Sequence, residues 1–464
     1  MRGKDFNLSV VKQNLIFYLL IAYGAILILI GLLADSINDI FVGLIKIVLS
    51  PSNLVSDYIQ IAGVGATFIN SGSLTLLSLL ILRRYQYSVT SLTISVIMML
   101  SGFSFFGKNL LNSIPIILGA LLYIKITHSE QQEDVVVGLL GTCLSPLVSI
   151  IFLNNSISYK IVSFLAGLFI GFVIVPIFNY MKNHTRGLNL YNMGFSAGIV
   201  GVAGNLITRK ILQIKIIPHS FHTTYSNDLF IILVILFSTV FTVSIYGLLM
   251  TQHISIKNRS LVCTQQSKIF TFYDIWKLVK FSLYGFFALI TIKFLGVQLS
   301  APVVGTIITF AGFSMYDFNF VNYFVPATGA MSASYLIYGD ITSTTSIVII
   351  FFASTLSPYA QKSGMLASLF AGGVFSIISR EIGVLHAGIN LYNCGFAGGI
   401  TVLLFYFFNY LLRTKLLKYK LIDLLLNQEK LSKDLKTSCR MALKKIQFFK
   451  LEIDQLIEDD QIDN

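Results

Sequence analysis

Charge is scarce in this chain. Of its 464 residues, 12% are charged and 55% are hydrophobic, and the mean hydropathy is +0.78. A soluble globular domain carries about 25% charged residues. The composition therefore excludes a water-soluble enzyme, a disordered chain and a nucleic-acid-binding domain. It predicts an all-α, polytopic membrane protein whose principal partner is the lipid bilayer.

The chain also lacks the motifs of common catalytic and metal sites. Its four cysteines are scattered, with no C-x-x-C pair, so neither a disulfide framework nor a zinc site is indicated. No P-loop, H-E-x-x-H or G-x-S-x-G motif is present. No row of carboxylates resembles a proton relay. We expect no enzymatic activity, no cofactor, no metal and no nucleic-acid partner.

The basic residues lie mostly in short clusters between apolar runs, such as Arg83-Arg84 and Arg209-Lys210. This pattern is typical of cytoplasmic loops. The first apolar run, 15–33, is long enough to cross a hydrocarbon core of ~30 Å and longer than the core of a signal peptide. It predicts a first transmembrane helix with the N-terminus in the cytoplasm.

Further apolar segments continue to residue 412 and predict 10 to 13 spanning helices. The segments 109–125 and 321–337 are short and contain Pro, and 53–82 is interrupted by Gly and Ser. The segment 53–82 is long enough for one or two membrane crossings. An interrupted helix is tolerated in a membrane only where protein or water forms hydrogen bonds with its unpaired backbone N–H and C=O groups. We therefore expect short re-entrant or discontinuous helices.

The strongest signal is an internal duplication. The segment 187–199 recurs as 388–400, identical at 9 of 13 positions, and each copy contains N-L-Y-N-x-G-F. Three shorter matches appear in the same order in both halves: G-F-S at 102–104 and 312–314, L-S-P at 144–146 and 356–358, and A-G at 166–167 and 371–372. The chain is therefore built from two tandem repeats.

The repeats suggest a division of the chain into five parts: an N-terminal helix and linker (1–50), membrane repeat 1 (51–210), a linker with a transmembrane helix (211–271), membrane repeat 2 (272–412) and a cytoplasmic tail (413–464). Two-fold repeats commonly build transporters, with the substrate site at the repeat interface. We expect the two repeats to be inverted, which requires an odd number of crossings in each half.

The candidate substrate-path residues are polar residues near the duplicated motifs. An unpaired buried amide costs about 1–3 kcal/mol, so polar residues beside apolar helices need hydrogen-bond partners or a functional role. Either they line a polar permeation path, or their side chains cap the ends of broken helices. The candidates are Ser104, Asn109, Asn112, Asn189, Tyr191, Asn192, Ser314, Asn319, Asn322, Asn390, Tyr392 and Asn393.

Two G-x-x-x-G pairs follow the duplicated motif, Gly194 with Gly198 and Gly395 with Gly399. This spacing places both glycines on one helix face and lets helix backbones approach, so we expect them to pack helices.

Few charged residues lie in apolar context. Lys108 and Asp317 follow the two G-F-S matches, and the pair Arg380-Glu381 borders a helix. A charge within the membrane is a functional hypothesis by default. The alternative is that all of them lie at the membrane surface.

The tail differs from the rest of the chain. Residues 413–464 contain 11 Lys and Arg and 9 Asp and Glu, with apolar residues at helical spacing. This predicts a cytoplasmic amphipathic helix or hairpin. It either packs against loops or a neighbouring subunit of a homo-oligomer, or it senses a ligand.

The repeated order of G-F-S, Asn, Pro and a late Tyr-Asn segment resembles each half of the urea-transporter family. Residues 187–192 and 388–393 match its late segment, and 112–115 and 322–326 match its pore helix, although Asn and Pro are not adjacent here. The resemblance implies an inverted-repeat pore with selectivity near the midplane. The whole chain more closely resembles an uncharacterised bacterial multipass family, a domain of unknown function with N-L-Y-N-x-G-F twice, which implies no activity.

These observations favour a membrane channel or transporter for a small polar, uncharged solute, located in the bacterial plasma membrane. Two alternatives remain open. One is a non-transporting scaffold or sensor that acts through the tail, and the other is a membrane enzyme acting on lipids. The enzyme would require paired acidic residues at one membrane face, and the sequence shows none.

Overall fold

The computed structural model describes residues 2–54, 56–87, 90–129, 133–154, 156–184, 189–213, 226–257, 265–315 and 320–426. All regular structure within these ranges is helical. The α-helices, in chain order, are α1 Arg2–Ala34, α2 Ile37–Val48, α3 Tyr58–Ala62, α4 Val64–Arg84, α5 Ser91–Phe103, α6 Leu110–Thr127, α7 Glu133–Gly141, α8 Ser145–Phe152, α9 Ile157–His184, α10 Asn189–Lys210, α11 Ser226–Lys257, α12 Gln265–Phe294, α13 Ala301–Phe313, α14 Phe320–Tyr338, α15 Thr344–Phe352, α16 Ser357–Ser363, α17 Met365–Leu385 and α18 Asn393–Leu426.

Nine stretches of the described residues are long and apolar enough to cross a membrane. They lie in α1, α4, α6, α7 with α8, α9, α11, α12, α17 and α18. The predicted first transmembrane helix is among them, as the span Ile16–Ala34. The prediction of 10 to 13 spans exceeds this number. Helices α10 and α14 have 22 and 19 residues, enough to span, but both are rich in polar residues and are not among the nine. The protein is a polytopic α-helical membrane protein.

The segment 53–82 contains one long helix, preceded by a short one. The Asp57 carboxylate accepts hydrogen bonds from the N–H groups of Ile59 and Gln60 and so caps the five-residue α3. Gly63, at φ +89°, ends α3 and precedes α4. A side chain is strained at that φ, which explains the glycine. The segment therefore provides a single candidate span.

Discontinuous helices are present, but they lie at the two L-S-P matches and not at the Pro-containing segments where we expected them. A 3-10 turn, Thr142–Leu144, joins α7 to α8, and a second one, Ala353–Leu356, joins α15 to α16. Pro146 and Pro358 occupy the first turn of the following helix, where a missing N–H costs nothing. The Pro-containing segments 109–125 and 321–337 instead form the continuous helices α6 and α14.

The two halves pack their helices in the same pairs. Helix α1 lies along α4 as α11 lies along α12, and α6 lies along α9 as α14 lies along α17. A Cβ on Gly119 would collide with the carbonyl of Leu168, and one on Gly329 with that of Leu369. The tandem repeat predicted from the sequence is therefore a repeat of structure.

One of the sequence matches is out of register. The alignment pairs Gly167 with Gly372, but the structural counterpart of Gly372 is Gly171. A Cβ on Gly171 would meet the carbonyl of Ile116, and one on Gly372 that of Pro326. Gly171 lies one helical turn after Gly167, and a helix in which small residues recur every four positions permits such a shift.

The chain divides into two compact units, Met1–Val402 and Leu403–Asn464. The second unit begins with the last part of α18, which continues to Leu426. Most of the predicted amphipathic tail, 427–464, lies outside the described residues.

Candidate functional site

The two copies of the duplicated motif meet where α10 crosses α18. A Cβ on Gly194 would collide with the backbone of Gly395. The contacts of the other two glycines are reciprocal: Gly198 lies under the ring of Phe396, and Gly399 lies under the ring of Phe195. The two Phe rings contact each other edge to face, with centroids 5.9 Å apart. All four glycines therefore lie in close contacts between the two motif segments.

The turn after α5 is held by a buried amide. Asn70 Nδ2 donates hydrogen bonds to the carbonyl oxygens of Ser104 and Lys108, each at 2.7 Å. Lys108 is 1% exposed. Its Nζ donates to Thr142 Oγ1 at 2.8 Å and lies 5.5 Å from the centroid of the Phe103 ring. The turn thus places the buried Lys108 amine against the 3-10 break of the α7–α8 span.

Asn109 and Asn112 cap the start of α6. Asn109 Oδ1 accepts from the N–H of Asn112 at 2.9 Å, and Asn112 Oδ1 accepts from the N–H of Asn109 at 2.8 Å, which completes a capping box. Asn112 Nδ2 also donates to Ser149 Oγ at 2.9 Å. The Ser104 hydroxyl donates to the carbonyl of Leu100. All three candidate side chains are buried, and their geometry agrees with the capping interpretation.

The second copy of N-L-Y-N contacts the same region from the other half. The N–H of Leu391 donates to the carbonyl of Cys143, inside the 3-10 break, at 2.9 Å. The Tyr392 ring lies 5.7 Å from that of Phe103, and its hydroxyl contacts the sulfur of Met99. Asn390 Oδ1 accepts from the N–H of Tyr392 at 2.8 Å. The G-F-S turn, the broken span and the second motif therefore converge.

The remaining candidates are more dispersed. Asn192 is buried in α10, Ser314 ends α13, and Asn322 is half-buried in α14. Asn393 begins α18, where its Oδ1 accepts from the N–H of Cys394. Asn319, with the neighbouring Asp317, and the side chains of Asn189 and Tyr191 lie outside the described part of the structure.

Two cavities flank the crossing of α10 and α18. The first, the Arg380 cavity, measures about 410 Å³. It is lined by Asn53, Leu54, Thr344, Thr345, Val348, Ile349, Ser379, Arg380, Gly383, Val384, Ala387, Gly388, Asn393 and Cys394. The second, the Lys182 cavity, measures about 240 Å³. It is lined by Tyr87, Ser95, Val96, Met99, Glu133, Val136, Val137, Leu140, Phe178, Lys182, Met193, Phe313 and Tyr392.

The walls of the two cavities come from equivalent helices of the two repeats. Lining residues of α7 match those of α15 at a separation of 212 positions, and lining residues of α9 and α10 match those of α17 and α18 at 201 positions. The matched pairs include Val136 with Val348, Val137 with Ile349, Phe178 with Ser379, Lys182 with Gly383, and Met193 with Cys394. The cavities are therefore two copies of one feature. Met193 and Cys394 each precede a glycine of the helix crossing.

The two cavities differ in the charged residues that line them. In the Lys182 cavity, Lys182 Nζ lies 2.6 Å from Glu133 Oε2, so this pair is neutral as a whole. Arg380 is the charged residue among those that line the other cavity. Its Nη2 donates to Ser346 Oγ at 2.6 Å, and its guanidinium lies 4.1 Å from the Tyr338 ring centroid.

The loop before α15 fixes one wall of the Arg380 cavity. Asp340 Oδ1 accepts from the N–H groups of Thr342 and Ser343, and Ser343 in turn caps α15 through the N–H of Ser346. Slight burial raises the pKa of Asp340, but the hydrogen bonds from Ser343 and Thr342 outweigh it and lower the pKa to about 2. The carboxylate is thus ionised at physiological pH and engaged by its own loop.

The family of the chain is shown by its sequence match. The family described as "Protein of unknown function (DUF1576)" matches residues 36–210 and 254–409. The chain belongs to this family. The first matched region contains α2 to α10, and the second contains α12 to α17 and the first half of α18. No curated protein and no solved structure matches the chain.

The sequence did not single out several residues that organise these sites. Asn70, Thr142 and Ser379 are buried partners or cavity-lining residues. Asn70 is the one with a visible signal, because an amide in the middle of an apolar helix needs a partner. Serine and threonine are common in membrane helices, so Thr142 and Ser379 carry no such signal.

Proposed function

We propose that this chain is a membrane transport protein that moves a small polar solute through the region where its two repeats meet. The observation that carries the proposal is the pair of repeat-related cavities beside the crossing of the duplicated motif helices. Transporters built from repeats bind substrate at the repeat interface, where discontinuous helices line the site. Here the discontinuous helices α7–α8 and α15–α16 each contribute a cavity wall through α7 and α15.

The polar groups that line these cavities suit such a solute. Thr344, Thr345 and Asn393 offer hydroxyl and amide groups in one cavity, and Ser95 and Tyr392 offer hydroxyls in the other. Valine, isoleucine and leucine form much of the remaining walls. This mixture of a few polar groups on an apolar surface is typical of small-molecule sites. The proposal includes the bacterial plasma membrane as the location, with both termini in the cytoplasm.

A flux assay tests the proposal. The protein is reconstituted into liposomes, and stopped-flow light scattering follows gradients of urea, acetamide, glycerol, ammonium and a short carboxylate. Val137→Trp and Ile349→Trp fill equivalent places in the two cavities. Leu336→Trp, at a position 79% exposed on α14, is the matched control.

We expect permeability to at least one solute above that of empty liposomes. Both cavity variants should reduce it about tenfold or more, and the control should leave it unchanged. Equal permeability with and without protein for every solute would contradict a passive path. Truncation after residue 426 tests the scaffold alternative, because a transporter should retain its flux without the tail.

A further inference from the structure

Arg380 is held rigidly and keeps an unused donor. The Tyr338 ring and the Ser346 hydroxyl fix its guanidinium, and a cation stacked on an aromatic face is favourable. Its Nε is buried and has no hydrogen-bond partner within the described residues. A buried donor left unpaired costs about 1–3 kcal/mol. Arg380 also lines the cavity, so its guanidinium group can meet an acceptor that enters from outside.

Two further groups beside Arg380 favour the same kind of acceptor. Thr344 and Thr345 begin α15 and line the cavity, and the first N–H groups of a helix carry partial positive charge. Ser379 is 1% exposed and also lines the cavity. Its hydroxyl has no oxygen or nitrogen partner in the described structure, only the Cys394 thiol beside it.

The carboxylates nearest in sequence do not occupy this place. Asp340 is engaged by Thr342 and Ser343, and Glu381 is exposed and is not among the lining residues. In the repeat-related cavity, Lys182 has a carboxylate partner in Glu133. The two cavities thus occupy repeat-related positions but differ in charge, and the positive charge of Arg380 has no carboxylate partner among the residues that line its cavity.

Four aliphatic side chains also line the cavity. They are those of Leu54, Val348, Ile349 and Val384, and about 410 Å³ is the size of a small-molecule site. A bare inorganic ion would leave most of this volume unfilled. We infer that the Arg380 cavity binds a small organic carboxylate, with its head group at Arg380, Ser379 and the start of α15 and its apolar body against the aliphatic wall.

This inference deepens the proposed function by naming the substrate class as anionic instead of uncharged. Its test is a binding measurement that does not depend on transport. Full-length protein in phosphatidylcholine nanodiscs is titrated calorimetrically with hexanoate, with the isosteric neutral hexanamide and with inorganic phosphate. The variants are Arg380→Gln, Arg380→Lys and Ser379→Ala, and Arg84→Gln, at the exposed end of α4, is the matched loss of one arginine.

We expect saturable hexanoate binding at least tenfold tighter than hexanamide binding. Arg380→Gln should weaken it tenfold or more and Ser379→Ala several-fold, whereas Arg84→Gln should not change it. Arg380→Lys keeps the charge but loses the planar, two-donor geometry of the guanidinium, so it should retain part of the affinity. Retained binding in this variant would show that the loss in Arg380→Gln is not caused by misfolding at this position.

Equal affinity for hexanoate and hexanamide would overturn the inference, and so would binding that ignores Arg380 or binding of phosphate alone. Loss of hexanoate binding when phosphatidylglycerol is added to the nanodiscs would assign the cavity to a lipid head group. Hexanoate binding without flux would support the carboxylate site and contradict the transport proposal. Flux of neutral solutes without hexanoate binding would support the transport proposal and contradict the carboxylate site.

Discussion

Gly194 and Gly395 lie back to back where α10 crosses α18. The Cα atom of Gly194 is 3.4 Å from the position that a Cβ on Gly395 would occupy. A Cβ on Gly194 would collide with the backbone of Gly395, whereas a Cβ on Gly395 would meet Gly194 at contact distance and collide with the ring of Tyr392. Each is preceded by a residue that lines a cavity, Met193 on one side and Cys394 on the other. The closest backbone approach between the two motif helices is thus adjacent to both cavities.

We expect Gly194→Ala to destabilise the protein by about 1–3 kcal/mol, the usual cost of overpacking a tight contact. Gly247→Ala is the control, because its added Cβ would meet Ile275 at an ordinary 3.6 Å and alanine favours the helix. Thermal unfolding in detergent should show a lower Tm for the first variant and an equal or higher Tm for the second. An unchanged Tm for Gly194→Ala would show that the helices do not cross there.

The Asn109–Asn112 capping box predicts a stability effect of its own. Asn109→Ala should cost about 0.5–2 kcal/mol, as for other N-caps, and Asn109→Asp should retain most of the stability because a carboxylate also caps. Asn112→Ala should cost more, since Ser149 and the carbonyl of Gly107 also lose a donor. Thermal unfolding measures both. If Asn109→Asp were as unstable as Asn109→Ala, the capping role would be wrong.

Replacing Lys108 should affect flux without lowering stability. A buried cation replaced by an apolar side chain of similar length often leaves stability unchanged or raised, and Thr142 keeps its bond to the carbonyl of Leu139. We therefore expect Lys108→Met to have an equal or higher Tm but a lower flux, with the exposed Lys46→Met as control. A Tm several degrees lower, with flux per folded protein unchanged, would make Lys108 a structural residue.

The sequence was sufficient for features that repeat or that follow from composition. Apolar length located the spans, and the doubled N-L-Y-N-x-G-F revealed the two halves. Glycine spacing predicted a close helix contact, but not that the two copies of the motif contact each other. The Asn-x-x-Asn spacing at 109–112 is itself a capping-box pattern, so the capping interpretation was already available.

Features that depend on distant contacts were not accessible in this way. The 3-10 break at Thr142–Leu144 lies within the apolar run 135–153, where Pro146 does not by itself indicate a break, because Pro115 and Pro326 lie inside continuous helices. Its partners, Lys108 and Leu391, are 34 and 248 positions from the residues they contact. The Arg380 cavity forms only when the loop residues 53–54, the start of α15, the end of α17 and the residues 387–394 come together. No local pattern encodes such a meeting.

The relative orientation of the two repeats is the last prediction. If the repeats are inverted, equivalent positions face opposite sides of the membrane. Glu133 and Thr345 are exposed, line the two cavities and are separated by the 212 positions that relate α7 to α15. In a background with all four native cysteines replaced by serine, Glu133→Cys and Thr345→Cys provide one reporter in each repeat.

We expect a membrane-impermeant maleimide, added to intact cells, to label one of these cysteines and not the other. In cells opened before labelling, both cysteines should be labelled, which shows that each one can react with the maleimide. Labelling of both, or of neither, in intact cells would place the two cavities on the same side and make the repeats parallel. Opposite labelling is what an alternating-access transporter with one cavity toward each side requires, because solute must enter from one face and leave at the other.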